Sequence, residues 1–201
     1  ATAPAAISAA GTVNTTNAAM SLGDANTALT LAANLTLNTT GGNASAGGNL
    51  TLGGAINAST TNTESLTLNA GSTGAVSVLG AVGQTSHLNT LTLVQSNGAV
   101  FNAAVTADTE VVLSDTVDGQ TIRFAGNLST PVLTTTANGY HLELLGTTTH
   151  VSDVNTATTF MHTGNVVLGN GAGDSLTFAG GLTATAPAAI SAAGTVNTTN
   201  A

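Results

Sequence analysis

The chain has no cysteine, no tryptophan and no lysine, and Arg123 is its one arginine among 201 residues. Without cysteine it can form neither disulfides nor cysteine-ligated zinc sites. Nine acidic residues against that single cation give a formal net charge of −8. Such a chain cannot neutralise phosphates and release their counterions, so nucleic acid is excluded as a partner. The lack of a basic patch also argues against binding to an anionic lipid surface.

Long apolar runs are missing as well. No run approaches the roughly 20 residues needed to cross a bilayer, so we expect no membrane insertion. The start of the chain has neither the basic region nor the apolar stretch of a signal peptide. Hydrophobic residues nevertheless make up 42% of the chain and charged residues only 5%. Disordered chains combine low hydrophobicity with high charge, so this composition predicts a folded protein.

One internal repeat dominates the sequence. Residues 1–18 and residues 184–201 carry the same eighteen letters, ATAPAAISAAGTVNTTNA. We interpret residues 1–183 as one full unit of a tandem array and residues 184–201 as the start of the next unit. Self-similarity at a fixed period is typical of solenoids and arrays. Because 183 residues exceed any common single coil, the unit must hold either a stack of smaller coils or one to two globular modules.

A shorter pattern recurs inside the unit, in which apolar and polar residues alternate over three positions. Period-2 alternation places aliphatic side chains on one face of a strand and Thr or Ser on the other. The triplets are Leu-Thr-Leu at 29–31, 35–37, 50–52, 66–68 and 91–93, Val-Ser-Val at 76–78, Ile-Arg-Phe at 122–124, Leu-Glu-Leu at 142–144 and Leu-Thr-Phe at 176–178. Asn-Gly dipeptides at 97–98, 138–139 and 170–171 are turn signals. The pattern predicts an all-β chain.

A shortage of aromatic residues favours one all-β architecture over another. A β-sandwich fills a core about 10 Å thick, usually with large aromatics, but this chain has only four Phe and one Tyr. A β-solenoid (parallel β-helix) has a thinner core that stacked aliphatic residues can fill. Spacings of twenty residues, from Leu91 to Val111 and from Ile122 to Leu142, predict coils of about twenty residues. Roughly nine coils at about 4.8 Å each would give a unit on the order of 45 Å long. The longer step from Leu66 to Leu91 does not fit this spacing. The alternative is a row of tandem β-sandwich modules linked by strand addition.

Two fragments resemble known families of bacterial proteins. Gly48-Asn49-Leu50-Thr51-Leu52-Gly53-Gly54, within a Thr-, Asn-, Gly- and Ala-rich chain, resembles the giant repetitive adhesins of the filamentous-haemagglutinin-like and β-strand-repeat kinds. That resemblance implies a right-handed β-helical or strand-rich stalk, located outside the cell or on its surface. The segment 169–177, GNGAGDSLT, is similar to the nonapeptide of RTX-like calcium-binding β-rolls, G-G-x-G-x-D-x-U-x. It departs from that pattern at Asn170 and occurs once.

The candidate ligands for a metal are therefore acidic. Asp174 lies in the nonapeptide, and Asp115 and Asp118 belong to the one acidic cluster of the chain. Calcium takes several oxygen ligands at once, which loops around these residues could supply. The other interpretation is that Asp174 caps a Gly-rich turn and that the cluster is a hydrated surface that keeps a fibre soluble. The four histidines do not have the compact spacing of a zinc site.

Catalytic motifs are missing from the sequence. It has no G-x-S-x-G, P-loop or H-E-x-x-H pattern, so we expect no enzyme, no catalytic residue and no cofactor-binding residue other than the candidate calcium ligands. Arg123 is predicted to point outward and to pair with a nearby acid. If the strands stack in register, Thr36, Thr51, Thr67 and Thr92 would form a column of hydroxyl groups. Such a column is the kind of surface that binds ice or a crystalline polysaccharide.

The sequence thus predicts a structural repeat of a long extracellular bacterial fibre or adhesin stalk without catalytic activity. Its expected partners are copies of itself, both neighbouring repeats and laterally associated fibres. Each coil would satisfy the backbone edge of the coil before it, and nearly uncharged sides would allow bundling because little charge must be desolvated. The alternative is a ligand-binding adhesin module, for polysaccharide, cell surface or ice, on a repetitive spacer.

Overall fold

The chain winds into a β-solenoid in a computed structural model that describes residues 4–41 and 46–199. These residues form twenty-one strands, numbered β1 to β21 along the chain, and the pairings between strands are parallel. They contain no helix, and therefore none that is long and apolar enough to cross a membrane. Parallel stacking confirms the predicted solenoid. The alternative of β-sandwich modules is wrong for this unit, since those modules are built from antiparallel sheets.

Three sheets contain all of these strands. The eleven-stranded sheet consists of β1 (Ala6–Asn14), β3 (Ala28–Asn38), β5 (Ile56–Ala58), β6 (Leu66–Asn69), β8 (Leu88–Gln95), β10 (Val105–Leu113), β12 (Leu128–Thr130), β13 (Val132–Thr135), β15 (Thr148–Val151), β18 (Ser175–Phe178) and β21 (Thr195–Thr198). The eight-stranded sheet consists of β2 (Met20–Leu22), β4 (Leu50–Leu52), β7 (Val76–Val78), β9 (Ala99–Phe101), β11 (Thr121–Phe124), β14 (His141–Leu144), β17 (Val166–Leu168) and β20 (Ile190–Ala192). The third sheet pairs β16 (Thr158–Thr159) with β19 (Leu182–Thr183).

Each coil passes through three faces in turn. Face 1 is formed by β5, β12, β15, β18 and β21, and face 2 by β6, β8, β13, β16 and β19. Face 3 is the eight-stranded sheet, which takes one strand from every coil. Strands β1, β3 and β10 are long enough to run from face 1 onto face 2 around the corner between them. The solenoid therefore has eight three-sided coils, and β21 begins a ninth.

The coils are fewer and longer than the sequence predicts. Ile122 does pair with Leu142 in the next coil, twenty residues on, but Met20 pairs with Leu50, thirty residues on. Leu66 pairs with Leu91, so that step is also one full coil. Coil length varies because the connections between faces differ in length, whereas the strands that stack keep a common register. The prediction of about nine coils of twenty residues is therefore wrong.

The core is a set of aliphatic ladders that run along the solenoid axis. On face 2, the buried rungs are Leu35, Leu66, Leu91 and Val111, each paired with the next. On face 3, the rings of Phe101 and Phe124 stack with centroids 4.7 Å apart and planes 6° from parallel. Each rung removes aliphatic surface from water at about 25 cal/mol per Å², so stability grows with every added coil.

Glycines line the corner where face 3 leads into face 1. A Cβ on Gly80 would lie 2.2 Å from the backbone of Gly54, and one on Gly146 would lie 2.4 Å from the carbonyl oxygen of Gly126. Neighbouring coils thus approach one another here more closely than any side chain allows. The Gly-rich composition has this steric cause as well as a role in turns.

Candidate functional site

The outward side of face 2 carries a column of threonines. Thr12, Thr36, Thr67 and Thr92 follow one another in register over four coils. The predicted column is therefore confirmed for three of its four members. Thr51 does not belong to it, because its triplet lies on face 3, where Thr51 pairs with Ser21 and Ser77. The prediction failed there because Leu-Thr-Leu triplets occur on all three faces.

The outward side of face 3 is neutral overall. Its column reads Ser21, Thr51, Ser77, Val100, Arg123, Glu143, Val167 and Ser191. The only charges in this column are those of Arg123 and Glu143, which are in register in neighbouring coils. Arg123 Nε donates to Glu143 Oε2 at 2.6 Å, so the two charges compensate each other. The predicted outward arginine paired with an acid is confirmed. Arg123 remains about half exposed, which makes this a surface ion pair of small energetic value.

Most other acidic side chains lie at corners and in connections rather than on the flat faces. Asp108 Oδ1 lies within hydrogen-bond distance of His87 Nδ1, at 2.8 Å. Asp108 is next to an irregularity in the register of β10. The pKa of Glu64 is lowered, mainly because its carboxylate accepts a hydrogen bond from the Thr60 N–H. Burial raises this pKa, and a hydrogen bond from the Ser59 hydroxyl lowers it by a smaller amount. The acidic side chains on the flat faces are Glu110, in register with Thr90 and Val132 on face 2, and Glu143 on face 3; the rest of the acidic side chains lie at the corners and in the connections.

Asp174 closes its own loop. Its Oδ2 accepts hydrogen bonds from the N–H groups of Asn170 at 2.7 Å and Gly171 at 2.9 Å, and the side chain is buried. This is the turn-capping arrangement that the sequence offers as the alternative to a calcium site. The chain then enters β18, whose Leu176 is fully buried.

Asp115 and Asp118 lie in the connection between β10 and β11, on another coil than Asp174. Asp115 Oδ2 accepts from Gln95 Nε2 at 3.1 Å, and Asp118 Oδ1 accepts from the Gly139 N–H at 2.9 Å. Each carboxylate therefore ties its coil to a neighbouring coil. Within residues 4–41 and 46–199, no three His, Asp or Glu side chains come close enough to hold a metal ion together. Calcium binding at Asp174, Asp115 or Asp118 stays a prediction.

The two ends of the stack differ from its middle in exposure. Val13 and Val196 occupy inward rung positions, paired with Leu37 and Leu176, yet both are more than a third exposed. Ile190, paired with Val166, is about half exposed. Among the described strands, β1 has a partner on one edge only, and so do β20 and β21. Apolar rungs and unpaired backbone edges therefore coincide at both ends.

No family model, curated protein or solved structure matches this chain.

One buried polar cluster, formed by His162 and Tyr140, was not predicted from the sequence. His162 is fully buried, and its ring stacks on that of Tyr140 with centroids 4.9 Å apart and planes 11° from parallel. Neither ring nitrogen of His162 makes a hydrogen bond within the described part of the chain. Burial lowers the pKa of His162 to about 4.

The neighbouring Tyr140, unlike His162, has hydrogen-bond partners. The Tyr140 hydroxyl donates to the carbonyl oxygen of Leu113 at 3.0 Å, and burial raises the pKa of Tyr140 to about 12. A signal for the cluster was present in the sequence, since Phe160, Met161 and His162 alternate like the other triplets. The structure buries Phe160 and His162 and exposes Met161.

Proposed function

We propose that this unit is a structural repeat of a long extracellular bacterial fibre or adhesin stalk, without catalytic activity. Its partners are copies of itself, joined end to end as neighbouring repeats and side by side as associated fibres. The observation that carries the proposal is the pair of open ends, at which apolar rungs such as Val13 and Val196, each more than a third exposed, lie on unpaired strand edges. Unpaired edges of this kind are templates for another chain.

The neutral faces support lateral association. The threonine column of face 2 carries no charge, and the Arg123–Glu143 pair on face 3 is internally compensated. Packing such faces together costs little desolvation of charge. The solenoid also supplies length, because each coil adds about 4.8 Å along the axis. A rod built from such units keeps two adhesive or anchoring elements apart.

The experiment is an assembly assay on the full chain. We expect concentration-dependent, end-to-end oligomers by sedimentation velocity, and a reflection near 4.8 Å along the fibre axis in aligned samples. Val196→Lys places a charge on the open end and is expected to suppress the oligomers. Val154→Lys is the matched control, since Val154 is at least as exposed as Val196 but is not part of a named strand. A wild-type chain that stays monomeric at every concentration would contradict the proposal.

The threonine column supports a second candidate, an adhesin module that binds a crystalline polysaccharide. Thr12, Thr36, Thr67 and Thr92 present hydroxyl groups at about 4.8 Å intervals, a regular spacing that a repeating sugar surface can match. Co-sedimentation with insoluble polysaccharide tests it. Thr67→Lys, in the middle of the column, should abolish binding, whereas Thr177→Lys on face 1 should not.

A further inference from the structure

The two identical eighteen-residue segments adopt the same local conformation at opposite ends of the solenoid. In the first copy the single strand β1 turns a corner at Gly11, whose φ is 76°. In the second copy β20 and β21 lie on either side of Gly194, whose φ is 83°. The glycine forms the corner in both copies, because a positive φ is easily adopted only without a Cβ. Residues 1–3 and 200–201 lie outside the described part of the chain.

The inward and outward positions also agree between the copies. Ile7 and Val13 point inward in the first copy, in register with Leu29 and Leu37. In the second copy the equivalent residues are Ile190 and Val196, which are in register with the core residues Val166 and Leu176. The same letters therefore form the same piece of coil at both places.

The copies occupy different faces of the solenoid. In the first copy, Ile7 lies on face 1 and Val13 on face 2. In the second copy, Ile190 lies on face 3 and Val196 on face 1. From face 1 of the first coil to face 3 of the eighth, the chain completes seven whole coils and two further faces. The 183-residue period therefore corresponds to seven and two-thirds coils.

The copies use opposite edges for pairing. The first copy pairs with the coil that follows it, and the N–H of Thr15 donates to Asn38 O. In a parallel ladder the N–H groups that face one neighbour alternate along the strand, so Val13 also directs its N–H toward β3. The second copy pairs with the coil before it, through the N–H of Thr195 to Asp174 O. By the same alternation, the N–H of Val196 points to the open end.

The open edge of the second copy thus presents the same backbone groups and side chains that the first copy presents to β3. We infer that the eighteen-residue segment is a shared piece of coil, two faces long, on which β3 of the next unit docks as β3 docks on β1 within this chain. Its occupant is a second copy of this chain, the next unit of the array. This inference rests on the proposed function, since it requires units joined in tandem.

One geometric consequence follows for the array. Face 1 of each unit continues from face 3 of the unit before it, and face 2 continues from face 1. Successive units are thus rotated by one third of a turn in an unbroken solenoid. At about 4.8 Å per coil, each unit adds about 37 Å, and a given face returns after about 110 Å, or three units.

Cysteine cross-linking tests the rotation in a two-unit chain, made of residues 1–201 followed by residues 19–201. The natural sequence has no cysteine, so every cross-link reports the introduced pair. The inference places Thr195 beside Thr36 of the second unit, as Thr12 lies beside Thr36 in the first. Strand neighbours lie within the Cα separation that a disulfide spans. We therefore expect Thr195→Cys and Thr36→Cys of the second unit to cross-link.

Two further pairs give the controls. Thr12→Cys with Thr36→Cys in the first unit must cross-link whenever the unit is folded, since these residues are in register. Thr195→Cys with Thr30→Cys of the second unit should not cross-link, because Thr30 lies on face 1 and would meet Thr195 only if the units were in line. Val196→Pro should abolish the Thr195–Thr36 cross-link and leave the Thr12–Thr36 cross-link intact, because proline removes an N–H that only the junction uses.

The outcomes separate this inference from the proposed function. A continuous rod in electron micrographs with the Thr195–Thr30 cross-link would overturn the rotation but keep the structural role. Two separate bodies joined flexibly, with neither junction cross-link, would overturn both. A rod with the Thr195–Thr36 cross-link, lengthened by about 37 Å over the single unit, supports the shared coil.

Discussion

Acidification is expected to destabilise the solenoid through His162. This side chain is fully buried, stacks on Tyr140, lies edge-on to Phe160 with centroids 5.7 Å apart, and has no hydrogen bond to either ring nitrogen. Protonation would therefore place an unpaired charge in an apolar core. The pKa of His162 is lowered to about 4 in the folded chain, whereas that of an unfolded histidine is about 6.5.

The sign and size of the effect follow from these two values. Above pH 6.5 the ring is neutral in both states, and its contribution to stability is fully present. As the pH falls from 6.5 toward 4, the unfolded chain binds a proton that the folded chain does not, so the free energy of unfolding decreases. The full difference would reach about 2 kcal/mol at pH 5, but a thin solenoid core allows solvent to relax around the charge. We therefore expect a loss of about 1–2 kcal/mol at pH 5.

Urea unfolding at pH 7.5 and pH 5 measures this loss. His162→Phe keeps a planar ring beside Tyr140 but cannot titrate, so the variant should lose less stability than the wild type over that pH interval, by about 1–2 kcal/mol. Phe160→Leu is the matched control, because it weakens the same part of the core without changing a titratable group. Its stability should fall equally at both pH values. Parallel pH dependence of wild type and His162→Phe would refute the reasoning.

Three other predictions concern the corners, faces and loops. Gly146→Ala should destabilise the unit by about 1–3 kcal/mol in urea unfolding, because the new Cβ would meet the Gly126 carbonyl oxygen; Gly173→Ala, where no atom lies within 4 Å, is the matched control and should be nearly neutral. Arg123→Gln removes a half-exposed ion pair and should cost at most about 1 kcal/mol, with a smaller difference in high salt. Asp174→Asn disturbs an acceptor of two backbone N–H groups and should cost about 1–2 kcal/mol. A rise in the wild-type melting temperature on adding calcium, absent in Asp174→Asn, would instead support the calcium site.

The fold class followed from the sequence because its cause is local. Alternation in triplets such as Leu66-Thr67-Leu68 fixes which side chains face inward, and the structure buries both leucines. The length of each coil did not follow, because it depends on connections whose residues make no repeating pattern. Thr51 was assigned to the wrong column for the same reason: alternation tells inside from outside, but not one face from another.

Only part of the candidate site could be predicted from the sequence. The partner of Arg123 could be expected from charge alone, because a single cation among nine acids finds an acid readily. The hydrogen bonds of Asp174 also follow from a Gly-rich turn. His162 could not be recognised as buried from its residue type, since histidine is found in both environments. Only its alternation with Phe160 and Met161 carries that information.

The unequal connections between faces have a practical consequence. Eleven residues, 39–49, link β3 to β4, whereas three residues, 96–98, make the equivalent link between β8 and β9. Both links deliver the chain to the same ladder in the same register. An insertion at such a corner thus changes what the rod displays at that height without shifting any rung above or below it. Because the rise per coil is fixed and the corner length is variable, peptides or whole binding domains can be inserted at chosen heights along the solenoid.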